Sequence, residues 1–587
     1  MRKQFLFNGP KPLLKINMGD PKQAWPEIKS NSANRFDAIV VGSGISGGWA
    51  AKELCEKGLK TLVLERGRNV EHIKDYNTAF LHPWQFPHRL QNTEEDKAEN
   101  PIQSQAYNEA SKQFYVSDKD HPYLQEKPFN WIRGYQVGGR SLTWGRQCYR
   151  LSDLDFEANA KEGIAVDWPI RYKDIAPWYD YVESFVGISG NPEGLPHLPD
   201  GQFLPPMEMN CIETHLSAEL RRHYTDRIAT IGRVANLSKG WNGRGPCQYR
   251  NLCDRGCPFS GYFSSNAATL PAAAATGNMT LLPDTIVLEV LFDEQKNKAS
   301  GVRVMNSNTH QVTEYFASII FLNASTIATA AILLNSRSKN HPDGLGNSSG
   351  QLGHNLMDHF TGTGATAEFD GFHDQYYSGR RPVGIYIPRF RNLPGSKRSD
   401  YLRGFGFQGS GGRFEWQEQQ NTPGWGENFK KQLLQPGPWS MWIGAWGETL
   451  PYFGNMISLD KDKKDSWGLP LVKINFEYHG NEDAMRKDIR SSAEEMLEKA
   501  GFKNIHSYNH ALPGGSAVHE MGTARMGLDP KTSVLNKFNQ LHDAANVFVT
   551  DGSCMTSGAW QNPSLTYMAL TARACDYAVA ELKKGNL

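Results

Sequence analysis

The 587-residue chain predicts an α/β fold, α+β overall: a parallel-sheet domain interrupted by a second domain on a mainly antiparallel sheet. Three observations predict it. A β-α-β pattern stands near the N-terminus, alternating strand-like runs fill residues 361 to 510, and the chain then returns to its first texture.

The first unit is "FDAIVVGSGISGGWAAKELCEKGLKTLVLERG", beginning at Phe36. Residues 37–41 are an apolar, β-branched run of the kind a buried parallel strand needs. Glycines follow, then "GWAAKELCEKG" at helical spacing with Gly58 as a stop. "KTLVLE" is the second strand and ends on an acidic residue. Residues 70–130 are rich in His, Pro, Gln, Asn and aromatics, lack periodicity, and read as long surface excursions. A glycine-rich stretch, "GYQVGGRSLTWGRQCYR", follows, and 151–240 reads as helical and aromatic. Strand-like runs return at 279–290, 301–305 and 317–323, followed by a helix in "STIATAAILLNSRS".

Between 361 and 510, "TGTGATAEFDGF", "RPVGIYIPRF" and "LVKINFEYHG" alternate as half-exposed antiparallel strands do, with Trp-rich loops between 415 and 447. The amphipathic helix "NEDAMRKDIRSSAEEMLEKAGF" closes that region. "NVFVTDGS" is then a strand and "NPSLTYMALTARACDYAVAEL" a long helix.

Charge and composition remove several function classes. Lys plus Arg number 63 against 62 Asp plus Glu, and no block of like charge forms a nucleic-acid surface. No apolar run is long enough to span a membrane. The N-terminal "MRKQFLFNGPKPLLKINMGDPKQAW" has no apolar core or cleavage site of an export signal, so the cytoplasm is expected unless a partner exports the chain. Eight cysteines in this length do not make a disulfide scaffold.

Gly42, Gly44 and Gly47 form G-x-G-x-x-G between the first strand and its helix. Gly42 permits the tight turn, Gly44 lets the backbone approach a pyrophosphate, and Gly47 permits close helix–strand packing. The helix N-terminus offers oriented N–H groups and positive dipole to phosphates. Glu65 ends the second strand where a carboxylate can accept from ribose hydroxyls. This is a dinucleotide site, and the glycines alone do not separate NAD from FAD.

Cys247, Cys253 and Cys257 lie in "GPCQYRNLCDRGCPFSG", spaced C-x5-C-x3-C-P. The bacterial ferredoxin run is C-x2-C-x2-C-x3-C-P, and Arg250 occupies its second cysteine position here. Three thiolates of that pattern suit an iron–sulfur cluster lacking one iron, a 3Fe-4S centre. A zinc site with a remote fourth ligand and unligated thiols remain open. A local disulfide would leave an odd cysteine.

Five stretches together resemble the glucose–methanol–choline oxidoreductase family of FAD enzymes: "GSGISGG", "VGGRSLTWG" at 137–145, "NLMDH" at 355–359, "HEMGTARMG" at 519–527 and "DGSCMTSGAWQNPSLT" at 551–566. The resemblance implies a Rossmann-like FAD-binding domain with an inserted substrate domain. The first is expected over 1–150, 240–360 and 511–587, with the cysteine segment 245–261 in it; the second over 151–239 and 361–510. Gly138, Gly139 and Ser141 would lie along the flavin, and Asp551 and Gly552 would hold the pyrophosphate–ribityl part. His519 would be the catalytic histidine and Asn562 its partner. One departure is "LNASTIATA" at 322–330, where the family leads us to expect a glycine near Ser325.

Neutral imidazole, with an ordinary pKa of about 6.5, suits acceptance of a hydroxyl proton during hydride transfer. An amide at Asn562 can hold the same oxygen. No second His follows His519 by four residues, so "HEMGT" is not a zinc-protease helix. Trp560 and Gln561, beside Asn562, are candidate sugar contacts, and buried packing accounts for such a Trp equally well.

The family's bacterial sugar-dehydrogenase branch also resembles the cysteine stretch, with a three-iron cluster taking electrons from FAD. The resemblance implies a dehydrogenase acting on a sugar or glycoside hydroxyl, a glucoside 3-dehydrogenase first of all. It also implies a small subunit bearing the export signal, a cytochrome or other electron acceptor, and a periplasmic site. Alternatives are an oxygen-using oxidase of the same family, an aldose C1 or gluconate 2-dehydrogenase, and a non-enzymatic flavoprotein.

Overall fold

In a computed structural model that describes residues 34–376, 383–413 and 424–587, the N-terminal β-α-β pattern forms the centre of a seven-stranded sheet. Strands Met279–Leu282, Thr61–Leu64, Arg35–Val41, Val312–Leu322 and Val547–Val549 lie parallel in that order. The register sets Ile39 beside Ile320 and Ala38 beside Thr61, and Ile320 beside Val547. Strands Thr61–Leu64 and Val547–Val549 and residues 38–41 are buried throughout, which explains their unbroken apolar runs.

Strand Val312–Leu322 makes two kinds of pairing within this one sheet. Its second half continues the parallel sheet, while its first half pairs antiparallel with Lys298–Asn306, which pairs with Thr285–Asp293. The run at 279–290 is therefore two strands at opposite ends of one sheet. Pro283 cannot donate to a ladder, and Asp284 turns the chain at φ +53°.

Helix Ile45–Glu56 springs from the glycine turn and packs beside Thr269–Ala275 and the C-terminal helix Ser564–Lys583. Helix Tyr172–Val186 also rests on Ser564–Lys583, with Tyr179, Val182 and Val186 in that core.

A six-stranded sheet carries the second texture. Its order is Lys503–Asn509, Phe360–Phe369, Trp439–Gly447, Phe405–Arg413, Ile385–Ile387 and Thr230–Ile231, every pairing antiparallel. Helix Gly480–Lys499 covers one face with Met485, Ile489, Ala493 and Met496, packed in one core with Phe360, Ala365, Met441 and Ile443. Cys211–His223 contributes Ile212, Leu216 and Leu220 to the same core. "LVKINFEYHG" departs from expectation. Strand Pro470–Asn475 pairs with Met456–Lys464 and Leu124–Gln125 in a separate three-stranded sheet.

The N-terminal segment read for an export signal lies outside the described residues, as do 377–382 and 414–423. Among the described residues no helix is long and apolar enough to cross a membrane.

Candidate active site

A cavity of about 730 Å³ opens at the C-terminal ends of the parallel strands and runs toward the antiparallel sheet. Gly42, Gly44, Glu65, Gly139, Ser141, His519, Asp551, Gly552 and Asn562 all contribute to its wall. Gly47 and Gly138 stand behind it.

The three fingerprint glycines divide as their chemistry predicts. Gly42 sits at φ +93°, and a Cβ there would lie 2.4 Å from the Asn323 carbonyl oxygen. A Cβ on Gly47 would lie 1.9 Å from the Gly42 carbonyl oxygen, so it is a packing glycine. A Cβ on Gly44 would meet no protein atom within 4 Å. Its bareness serves the cavity, at the start of helix Ile45–Glu56, where a pyrophosphate would take the free N–H groups.

Glu65 braces this turn. Its carboxylate accepts from the Ser43 hydroxyl at 2.6 Å, the Ser43 N–H at 3.1 Å and the Gly67 N–H at 3.0 Å. The Ser43 hydroxyl in turn accepts from Gly138 N–H at 2.9 Å. Burial pushes the Glu65 carboxyl up, and the three donors oppose that shift.

Gly138 holds φ +90°, and a Cβ there would fall 1.7 Å from Asn266 Oδ1. The turn is closed by Ser141, whose hydroxyl donates to the Gly138 carbonyl at 2.6 Å. Asp551 caps the turn Gly552–Cys554 through the Ser553 N–H at 3.0 Å and accepts from the Thr329 hydroxyl at 2.6 Å. Ser325, where a glycine was expected, adopts φ +82° and ψ 159°, a region glycine occupies without cost.

At the far end His519 and Asn562 come together, Asn562 Nδ2 lying 3.3 Å from His519 Nε2. The backbone N–H of His519 donates to Asp358 Oδ1 at 3.0 Å. On its other side His519 Nδ1 is 2.9 Å from Nδ1 of the buried His359. Burial, then His359 and then Arg140, holds the His519 pKa well below 6.5. Burial lowers His359 to about 4. Asp358 is pushed up to about 7, by burial first and by the charge of Glu520 second. Arg140 and Glu520 form an ion pair at 2.6 Å in the same wall.

Trp560 and Gln561 do not face the cavity. Trp560 stacks in a buried group with Tyr386 and Tyr149, and Gln561 donates to Asp155 Oδ2 at 3.0 Å.

Cys247, Cys253 and Cys257 lie apart from the main cavity, and none of the eight cysteines forms a disulfide. Gly261 N–H donates to the Cys257 sulfur at 3.2 Å and Tyr249 N–H to the Cys247 sulfur at 3.4 Å. Burial pushes the Cys247 thiol up to about 11 and raises Cys253, while Arg146 opposes both shifts. Arg146 is also part of the cavity wall and places its guanidinium 5.2 Å from the Tyr262 ring centroid. Among the described residues no three His, Cys, Asp or Glu side chains are set to hold a metal ion.

Residues His359, Asp358, Arg140, Gln147 and Gln408 were not assigned from sequence. The stretches "NLMDH" and "VGGRSLTWG" contain three of them, without a pattern that marks a role.

The chain is 28% identical over 571 residues to a 2-methyl-1,2-propanediol dehydrogenase of Mycolicibacterium austroafricanum, covering 93% of this chain and 96% of that one. It is 25% identical to the fructose dehydrogenase large subunit of Gluconobacter japonicus, over 95% of this chain and 100% of the other. Among solved structures, a formate oxidase of Aspergillus oryzae, studied for its FAD modification, aligns with TM-score 0.61 at 14% identity. It covers 94% of this chain and 100% of that one, and shows likeness of fold. Family models for the N- and C-terminal parts of GMC oxidoreductases match residues 36–361 and 451–571, so the chain belongs to the GMC oxidoreductase family, FAD-dependent enzymes that oxidise CH–OH groups.

Proposed function

We propose that this protein is a dehydrogenase of a sugar or glycoside hydroxyl, with the C3 hydroxyl of a glucoside as the first substrate to test. The observation that carries the reading is the His519–Asn562 pair, 3.3 Å apart at the end of a dinucleotide-sized cavity. FAD fits the residues present: Gly44 leaves open space above a helix N-terminus, and Gly139 and Gly552 line the wall without side chains. Bound there, the flavin supplies a hydride acceptor.

The chain's own residues do the rest. His519 Nε2 takes the hydroxyl proton as the C–H bond breaks, and burial keeps the imidazole neutral, with one ring nitrogen able to accept, at neutral pH. Asn562 Nδ2 donates to the same substrate oxygen and fixes its direction. The Arg140–Glu520 pair and Asp358 hold the wall from which His519 projects.

We further propose that Cys247, Cys253 and Cys257 would hold a 3Fe-4S centre that would carry electrons to a protein acceptor, although the three side chains are not set about a common metal position here. Supporting it are the two N–H···S hydrogen bonds and the electrostatic reach of the three thiols to one another. Arg146, which borders the cavity on one side and the thiols on the other, supports it too. The similarity to a protein named a large subunit supports a partner subunit. That the partner carries the export signal, and that a cytochrome or other acceptor takes the electrons, is part of the proposal.

The test is anaerobic mixing of the FAD-loaded enzyme with a panel of glycosides, read at the flavin absorbance, with product identification by NMR. The expected result is bleaching by a glycoside and a 3-keto product. His519→Ala should slow bleaching by about 10² to 10⁴ with FAD retained. No bleaching by any sugar or alcohol, or an unchanged rate in His519→Ala, would overturn the reading.

A further inference from the structure

The pair at the cavity's end is the middle of a longer chain of polar side chains. The Tyr149 hydroxyl is bonded to Gln147 Oε1. Gln147 Nε2 donates to Gln408 Oε1 at 2.9 Å, and Gln408 Nε2 to Asn562 Oδ1 at 2.9 Å. Asn562 Nδ2 faces His519 Nε2 at 3.3 Å, and His519 Nδ1 faces His359 Nδ1 at 2.9 Å. His359 Nε2 lies 2.7 Å from the carbonyl oxygen of Ala559.

The last link sets the direction of the others. A carbonyl oxygen only accepts, so His359 Nε2 carries a proton. Buried and neutral, His359 has one N–H, which leaves a lone pair on its Nδ1. The proton between the two Nδ1 atoms therefore belongs to His519. Neutral His519 also has one N–H, so its Nε2 is bare. From the other end the same direction arrives independently. Gln408 hands an N–H to Asn562 Oδ1, which turns the Asn562 amide nitrogen toward that bare Nε2. Every member donates one way, from the Tyr149 hydroxyl to the Ala559 carbonyl.

We propose that this one-way hydrogen-bond chain fixes His519 as the tautomer that is basic at Nε2, with His359 and Gln408 as positioning residues that never touch the substrate. The inference rests on the reading of His519 as the base. Reversing one link sets two donors or two lone pairs face to face in a buried place, so the members hold one another's orientation. When a substrate oxygen enters between Asn562 and His519, the long 3.3 Å link is the one it replaces, and it meets a donor on one side and a lone pair on the other.

Gln408→Glu tests this. The new carboxylate only accepts, so it keeps the Gln147 bond and draws the Asn562 Nδ2 toward itself. Asn562 then presents Oδ1 to His519, which must protonate Nε2 and cease to be a base there. The expected result is loss of flavin reduction by about a hundredfold or more, in the range that a lost general base costs, with FAD still bound. ¹⁵N NMR of histidine-labelled enzyme, oxidised and substrate-free, should show Nε2 of His519 bare in the wild type and protonated in Gln408→Glu. Gln408→Leu removes the direction without reversing it and should lose much less. A Gln408→Glu enzyme with wild-type reduction and a bare Nε2 would overturn the chain. If His519→Ala is inactive in that case, the base reading still stands; an active His519→Ala removes the base reading itself. Should Gln408→Glu fail to fold, His359→Phe and His359→Asn replace it. The Phe variant should mix the two His519 tautomers, and Asn, which keeps an acceptor near the Nδ1 position, should restore the wild-type one. Equal tautomer populations in both variants would refute the proposal.

Discussion

The rings of His359 and His519 meet edge to face, their centroids 5.0 Å apart and their Nδ1 atoms 2.9 Å apart. Two imidazoles this close do not both carry a second proton, and burial already disfavours charge on each. With His519 as the proposed base, its neutral form is the working one, so activity should be lost as pH falls through its native pKa, which lies well below 6.5. We expect kcat/KM to be level from about pH 6.5 to about pH 8 and to fall only well to the acid side. A pH–rate profile of anaerobic flavin reduction checks this, and an acid limb centred at or above 6.5 would contradict it.

Stability should follow a different course. Both histidines fold neutral, so below pH 6.5 the unfolded chain binds more protons and stability drops as pH falls toward about 4, the native value of His359. Asp358 acts the opposite way. Its native pKa of about 7 lies above the ordinary 3.8, so its contribution is present below 3.8 and is lost as pH rises from there to about 7. The two slopes oppose each other between about 4 and 6.5, so the Asp358→Asn variant should show a steeper acid loss of Tm than the wild type. Thermal melts across that range read the difference.

Gly44 and Gly47 should part company under the same substitution. Gly44→Ala adds a methyl that meets no protein atom within 4 Å, so the chain should fold with a normal melt and lose FAD affinity. Gly47→Ala drives a methyl to 1.9 Å from the Gly42 carbonyl oxygen and should destabilise the fold by about 1–3 kcal/mol. Melting curves and flavin content of the two variants separate the roles. A Gly44→Ala protein with full flavin content would show that the open space is not the cofactor's.

Much of this is legible in the amino-acid sequence. A glycine fingerprint is a local pattern, and so are the strand and helix on either side of it. The expected glycine near Ser325 was also informative, because the backbone there has the glycine conformation although the residue is serine. What could not be read is the partnering. His359 and His519 are 160 positions apart, and a histidine ending "NLMDH" has no local feature that pairs it with another. Gln408 is a polar residue in a strand, and only the antiparallel sheet brings it to Asn562. Adjacency misled in the reverse sense, for Trp560 and Gln561 precede Asn562 and yet belong to the core.

Ser325 offers a stabilising change. A non-glycine residue at φ +82°, ψ 159° carries strain of about 1–3 kcal/mol, and its side chain makes no capping hydrogen bond to repay it. Ser325→Gly relieves that strain and costs about 0.5–1 kcal/mol in unfolded-chain entropy. The net gain should be about 1 kcal/mol, a rise in Tm of roughly 1–2 °C for a chain of this size. An unchanged or lowered Tm would mean that the serine side chain has a use in the cavity wall.

The cysteine segment predicts that the two halves of turnover can be separated. As proposed, sugar oxidation needs His519 and Asn562, which lie in the cavity, and electron exit needs Cys247, Cys253 and Cys257, which do not. Cys253→Ser should therefore leave the rate of anaerobic flavin bleaching unchanged. It should lower iron and acid-labile sulfide content, and cut turnover with a one-electron acceptor such as cytochrome c by about tenfold or more, since loss of even an outer-shell partner of a metal site costs about 10- to 100-fold. Wild-type protein purified anaerobically should carry about three irons per chain if the centre is 3Fe-4S. One metal per chain and no sulfide would replace the cluster by a zinc-type site. No metal, with Cys253→Ser passing electrons as fast as the wild type, would leave the three thiols a structural loop and return the oxidase reading, which peroxide formed in step with sugar consumed would establish.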